Sequence, residues 1–307
     1  MNTAIDPALA PSPSRVVDSM EAMSGGPHPG YRRSGARGVC LQGTFTPSGA
    51  AAAWTSAAHL QDTPVPVVAR FSNSEGDPQA PDNIPVARGL AVRFRLPGGD
   101  TDLIGLSVPR FVAATPQEFV ELTGVLRPDP LTGVPDMAAV GAWVGAHPHL
   151  AEPIGQQPSI PAGYDTAAYW AIHAFIWVDQ EGRRQPVRYR WEPEAGRIDL
   201  TAEEAAVRPA HYLTGALRER LAQGAVAFTL RVQLGEEGDP THDPTVLWPE
   251  ERKELSAGVL VLTAPADDPG GFDPTRLTAG VELSDDPVLA FRGRAYQESA
   301  HRRTDNR

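Results

Sequence analysis

Cysteine is nearly missing from this chain: Cys40 is the sole one in 307 residues. A disulfide framework within the chain is thereby excluded, and nothing points to an oxidising compartment. Lysine is as scarce, with Lys253 standing alone. Basic residues number 27 against 38 acidic ones, a formal net charge of −11. A protein that tracks phosphates concentrates Lys and Arg on one face, so nucleic acid is not an expected partner. No stretch reaches the ~20 apolar residues of a membrane-spanning helix. Met1 to Pro13 carry Asp6 and several prolines where a secretory leader has a basic stretch and an apolar run. The expectation is a cytoplasmic protein with no membrane partner. Internal repeats, a phosphate-cradling glycine loop and a nucleophile triad are also missing.

What is present suffices for a folded core, since 41% of residues are hydrophobic and 21% charged. The reading is one main domain, 27–307, preceded by a loose segment and short helix over 1–26. Ser14 reads as the cap of that helix, which runs through Val16, Val17, Met20 and Met23 to Gly25-Gly26 and is expected to cover a barrel mouth. Alternation then predicts strands at Val39–Phe45, Val65–Phe71, Leu90–Leu96, Ala171–Trp177, Val187–Trp191, Ala225–Leu234 and Gly258–Thr263. Helical stretches are expected at Pro116–Val125, Met137–Gly145 and Asp286–Arg303. The fold class is therefore α+β: a closed antiparallel barrel of about eight strands with flanking helices, a size that can hold one small ligand.

One pair carries metal chemistry. Arg292 precedes Tyr296 by one helical turn, placing a guanidinium and a phenol on the same face. A phenol binds metal as the phenolate, which a neighbouring cation and ferric iron both favour. Taken alone, the pair reads first as a surface arginine beside a packing tyrosine.

Its surroundings change that reading. Phe272-Asp-Pro-Thr-Arg-Leu-Thr-Ala-Gly280-Val-Glu-Leu-Ser284, then Arg292, Tyr296 and Arg303, follow the order and spacing of the catalase iron-ligand signature. Upstream stand Arg70-Phe-Ser72, Val86-Ala-Arg88-Gly-Leu-Ala-Val-Arg-Phe94, Thr101-Asp-Leu-Ile-Gly105 and Val108-Pro109. Tyr189-Arg-Trp191, Asp239-Pro-Thr, Asp243-Pro-Thr and Trp248-Pro-Glu continue the match, so most of the chain from about Pro27 resembles the catalases, and the smaller catalase-related peroxidases above all. The resemblance implies a catalase-like barrel holding haem b, with Tyr296 as iron ligand, Arg292 tuning it, Arg32 and Arg70 pairing with the propionates, and Arg303 as a further cofactor-binding arginine. Phe111 and Phe119 match aromatic residues at the haem face and access channel. Family members often form oligomers, which leaves a homo-oligomer open.

The pattern breaks where the family has its distal histidine. Gly35-Ala36-Arg37-Gly38 stands at that stretch, with Gly35 at the histidine's place. Leu106, followed by Ser107, stands where catalases have a distal asparagine. Ser72 matches the serine that supports the missing histidine, and its hydroxyl is a poor base. Gly35 is expected to open space above the iron. The expected function is a haem-dependent oxidoreductase acting on a small organic substrate by oxidation, dehydration or rearrangement. The alternatives are a conventional catalase-related peroxidase using hydrogen peroxide, or a non-catalytic haem-binding protein. His28 is weighed as a histidine folding back over the pocket, with a surface loop as its ordinary fate. Cys40 and His173 read as packed strand residues, and His147-Pro-His149 as a metal pair without a supporting cluster.

Overall fold

The computed structural model describes residues 11–305. Most of the segment expected to be loose, residues 1–10, lies outside that range. Helix α1 (Pro13–Met23) is capped by Ser12, whose hydroxyl accepts from the Arg15 N–H at 3.2 Å. The cap thus falls two residues before the expected Ser14. Proline has no N–H to lose, so Pro13 suits the first helical position and sets the boundary.

Four antiparallel strands follow: β1 (Gly38–Pro47), β2 (Val65–Asn73), β3 (Arg88–Phe94) and β4 (Thr101–Leu106). A helical excursion comprises α2 (Pro116–Val125), α3 (Met137–Ala146) and α4 (Ala151–Gly155). After a short β5 (Ile160–Pro161), the chain returns as β6 (Tyr169–Trp170), β7 (Phe175–Val178) and β8 (Arg184–Pro193). Then come β9 (Asp199–Leu200), α5 (Ala202–Ala206), α6 (Tyr212–Gln223), β10 (Val226–Leu234), β11 (Glu254–Pro265), β12 (Val281–Leu283) and α7 (Pro287–Asp305).

Neighbouring strands run β10-β11-β1-β2-β3-β4-β6-β8, and β8 pairs back onto β10. This is the expected eight-stranded closed barrel, whose closure leaves no long unpaired edge. β7 pairs along β8 beyond β6, and β12 adds outside β7. β5 and β9 form a separate small ribbon.

Two strand expectations need correction. β4 is missing from the expected strands, and its second residue is the charged Asp102. Burial of that carboxylate is made tolerable by Arg93, which donates to it from Nε at 2.8 Å and Nη2 at 3.0 Å, and by Arg276 at 2.7 Å. The stretch Ala171–Trp177 is not one strand: β6 ends before it at Trp170, β7 begins at Phe175, and the chain between them turns. Ile172 holds φ at 21°, a conformation costing a β-branched residue about 1–3 kcal/mol, and the turn it makes carries the following His173 into the interior, where it is 1% exposed.

The barrel interior is filled rather than hollow. Phe45 meets Phe94 edge-on at 5.3 Å and Trp191 at 5.9 Å, and Phe71, Phe228 and Leu260 are fully buried around them. The sequence leads one to expect a ligand held in the barrel, but aromatic side chains pack this interior and the cavity described next lies outside it. Alternation along the strands sends the other side chains outward: Arg70 and Ser72 of β2, Gly89 and Ala91 of β3, and Ile104 and Leu106 of β4 face a cavity of ≈ 480 Å³. Val16 and Met20 of α1, Phe119 of α2, and Val288, Arg292 and Tyr296 of α7 complete its lining. α1 therefore covers this outer cavity, not a barrel mouth. Arg302 ties α1 to α7 by donating to Asp18 at 2.7 Å and Glu298 at 2.8 Å. Among the described residues no helix is long and apolar enough to cross a membrane.

Candidate functional site

Nine residues singled out from the sequence line this one cavity: Arg32, Gly35, Arg70, Ser72, Phe111, Phe119, Arg292, Tyr296 and Arg303. On the α7 side the polar groups form a chain. Arg292 donates to the Tyr296 oxygen at 2.9 Å and to His173 Nε2 at 2.8 Å, and His173 Nδ1 meets Asp286 Oδ2 at 2.6 Å. Arginine can only donate, so Nε2 accepts and the imidazole proton sits on Nδ1, directed at the carboxylate. Burial, the largest influence on His173, lowers its pKa, with the Asp286 bond opposing, so the ring is neutral as this arrangement requires.

Asp286 does two jobs. Its other oxygen, Oδ1, accepts from the Val288 and Leu289 N–H groups at 2.8 and 3.1 Å, capping α7 just before Pro287. The helix that carries Arg292 and Tyr296 is thus anchored by the same carboxylate that orients His173. Gly293 sets the depth of α7: a Cβ there would lie 2.5 Å from Thr275 Oγ1, so only glycine lets the helix approach the 272–276 loop. That loop is held in turn by Asp102, which accepts from the Asp273 N–H at 2.9 Å.

A cationic corner lies beside this chain. Arg32 grips Asp268 with two bonds, 2.6 and 2.8 Å, and donates to the Gly270 carbonyl at 2.9 Å. Arg70 stands 3.8 Å from the same carboxylate and donates to the Gly35 carbonyl at 2.8 Å. Burial, then the neighbouring Arg32, pushes Arg70 down to about 10. Burial and Arg32 also depress Arg303, against which only Asp268 acts. Three guanidiniums share one carboxylate, leaving positive charge for about two more. Phe111 and Phe119 stack at 5.5 Å and give the cavity a flat apolar flank.

The barrel side is sparser. Gly35 holds φ at +65°, and a Cβ built on it would lie 3.0 Å from Ser72 Oγ and 3.3 Å from the Asn73 carbonyl. The glycine therefore does not open free space at that point, as expected from the sequence; Ser72 and the Asn73 backbone occupy it. Asn73 is committed elsewhere, accepting from Arg88 and donating to Asp82 at 2.9 Å. Ser107 accepts from the Arg88 N–H at 2.8 Å, while Leu106 reaches the cavity.

The secondary candidates fall outside this chemistry. His28 bonds to the Ser24 carbonyl at 3.1 Å and does not line the cavity. Arg33 and Arg110 do line it but pair with Glu21 and Glu152. Burial lifts the Cys40 thiol to about 11, which suits a packed strand residue. His149 pairs with Glu118 at 2.9 Å, and among the described residues no group of three metal-ligating side chains forms. Sequence reasoning missed His173 as a site residue, and also Asp286 and Glu75, the one carboxylate of the lining. For Asp286 the signal was present: Asp-Pro before a helical run is a cap followed by a first-turn proline.

A barrel with an aromatic-filled interior thus carries a tyrosine–arginine pair in a largely apolar cavity against its outer wall. The catalase family profile matches residues 30–306, and the chain belongs to that family. It is 36% identical over 303 residues to a catalase-related peroxidase of Mycolicibacterium paratuberculosis, covering 95% of both chains. It is 33% identical to a catalase-related peroxidase of Synechococcus elongatus, covering 97% of this chain and 90% of that one. A bacterial catalase structure shares the fold with a TM-score of 0.80 at 22% identity, over 89% of this chain and 57% of the other.

The family implies a haem, and the residues present fit one. Excess charge around Arg32, Arg70 and Arg303 suits two propionates, the aromatic flank suits a flat macrocycle, and Tyr296 offers an oxygen already approached by a guanidinium.

Proposed function

We propose that this chain is a haem-dependent peroxidase that reduces hydrogen peroxide to water with electrons from a one-electron donor. The prosthetic group is haem b, with Tyr296 as its iron ligand and Arg32, Arg70 and Arg303 binding its propionates. The observation that carries the reading is the unbroken chain Tyr296–Arg292–His173–Asp286, which presents a fixed, cation-supported phenol oxygen to the cavity. Bound there, ferric haem supplies the electrons that split the O–O bond and regains them from the donor. Arg292 holds positive charge at the phenol oxygen, His173 and Asp286 keep Arg292 aimed, and the Phe111–Phe119 pair excludes water from that flank.

The names of the relatives favour peroxide as the oxidant over the rearrangement of an organic substrate, and the filled position beside Gly35 removes the argument for a bulkier substrate at that point. An organic molecule keeps a place as the reducing donor. The test is the absorption spectrum of haem-supplemented protein before and after hydrogen peroxide, followed by oxidation of a phenolic donor. A ferric tyrosinate spectrum and peroxide-dependent donor oxidation are expected. Failure to bind haem, or bound haem that neither consumes peroxide nor oxidises the donor, overturns the reading.

A further inference from the structure

Splitting hydrogen peroxide requires a proton to leave one oxygen and arrive on the other, and a positioned acid–base group accelerates such a step roughly 10²- to 10⁴-fold. The residues lining the cavity include no histidine, aspartate, lysine or cysteine. Its arginines keep their protons throughout the working range. Tyr296 is assigned to the iron, and the hydroxyls of Ser24, Ser34, Ser72, Ser74 and Ser299 are far too weak as bases. One carboxylate remains, Glu75.

Its position is fixed by backbone. The Glu75 carbonyl accepts from the Ala36 N–H at 2.9 Å, the Ser74 carbonyl from the Gly35 N–H at 3.3 Å, and the Ser34 hydroxyl donates to the Ser74 carbonyl at 2.9 Å. These bonds clamp the 34–36 loop to residues 74–75, so Glu75 and Gly35 adjoin on one wall, three residues beyond Ser72. The carboxylate makes no hydrogen bond or ion pair among the described residues, and the charges acting on it are Arg88 and Asp77. Arg88 is already engaged by Asn73 and by the Asp82 and Ile84 carbonyls. From the neighbouring loop and α1, Arg33 is neutralised by Glu21 at 2.6 Å, and Asp77 faces His28 at 4.0 Å. Burial outweighs these charges and holds the Glu75 pKa above the ordinary glutamate value, which lets the group keep a proton between two transfers.

We infer that Glu75 is the acid–base group of this cavity, acting where the family resemblance expects a histidine and this chain has Gly35. The inference rests on the peroxidase reading. The carboxylate takes a proton from the peroxide oxygen that stays in the site, and as the carboxylic acid gives it to the oxygen that departs as water. The proton count of the site is unchanged, and the two electrons come from the haem and finally from the one-electron donor.

Cyanide separates this role from turnover, because hydrogen cyanide must surrender a proton in the cavity to bind ferric haem as the anion. In haem-loaded wild type the association rate falls as pH drops through the Glu75 titration. Glu75→Gln removes that limb and slows association by about 10²-fold or more. Glu75→Asp keeps a carboxyl on a shorter arm, so the limb persists at a shifted pH with a smaller loss. A Gln variant with the wild-type rate and pH profile overturns the inference. Should that variant not load haem, an Asp variant whose limb is unmoved overturns it instead. If wild type binds cyanide with the expected limb yet consumes no peroxide, the peroxidase reading falls while Glu75 stands as the cavity's proton acceptor.

Discussion

On the α7 side of the cavity, Tyr296, Arg292, His173 and Asp286 commit their polar atoms to one another, and Asp286 caps the helix besides. On the barrel side the Glu75 carboxylate has no partner among the described residues, and Gly35 has no side chain at all. The difference separates two demands. A group that holds a metal works best when neighbours over-determine its position, because a buried chain with a missing member leaves an unsatisfied group costing about 1–3 kcal/mol. A group that trades protons with a substrate must be left uncommitted until the substrate arrives.

The comparison can be broken most forcefully at Tyr296. Tyr296→Phe removes the phenol oxygen that Arg292 supports, and haem affinity should fall by more than the roughly 10- to 100-fold that changes in outer contacts cost. A variant with full haem content and an unaltered ferric spectrum would refute the ligand assignment.

Asp286→Asn comes next. The amide oxygen still caps α7, but its NH₂ group confronts the His173 Nδ1 proton. If the ring proton moves to Nε2 to escape, it meets the donor of Arg292 instead. Haem affinity should drop about 10- to 100-fold, and the buried donor–donor clash should lower the thermal midpoint as well. Wild-type affinity would mean that the imidazole does not aim Arg292.

The smallest effect is expected on the barrel side. Gly35→His places a side chain at φ +65° with its Cβ 3.0 Å from Ser72 Oγ. A left-handed conformation costs a non-glycine residue about 1–2 kcal/mol, so the unfolding midpoint should fall and peroxide turnover should not rise. A large gain in turnover would show that the wall still accommodates a histidine and would shift the proton-transfer role away from Glu75.

The barrel was legible where alternation was uninterrupted, as in β1, β2, β3 and β10. It was illegible where a charge entered a strand, since nothing local announces that Asp102 will meet Arg93 and Arg276. The break at Ile172 was hidden because Ala171 to Trp177 is apolar and β-prone throughout apart from His173. The cavity residues were found through resemblance to a family, not through spacing, which by itself left Arg292 and Tyr296 ambiguous. His173 and Asp286 stand 113 residues apart and become partners only when the barrel closes and α7 docks. Glu75 lies in a Ser-Glu-Gly turn that reads as solvent-facing, and the backbone bonds that clamp it to Gly35 and Ala36 link residues far apart in sequence.

The sealed interior of the barrel separates two roles. Phe45, Phe94 and Trp191 complete a core that owes nothing to the cavity outside. Folding and chemistry therefore rest on different side chains, so a substitution on the cavity wall can change the chemistry without emptying the core.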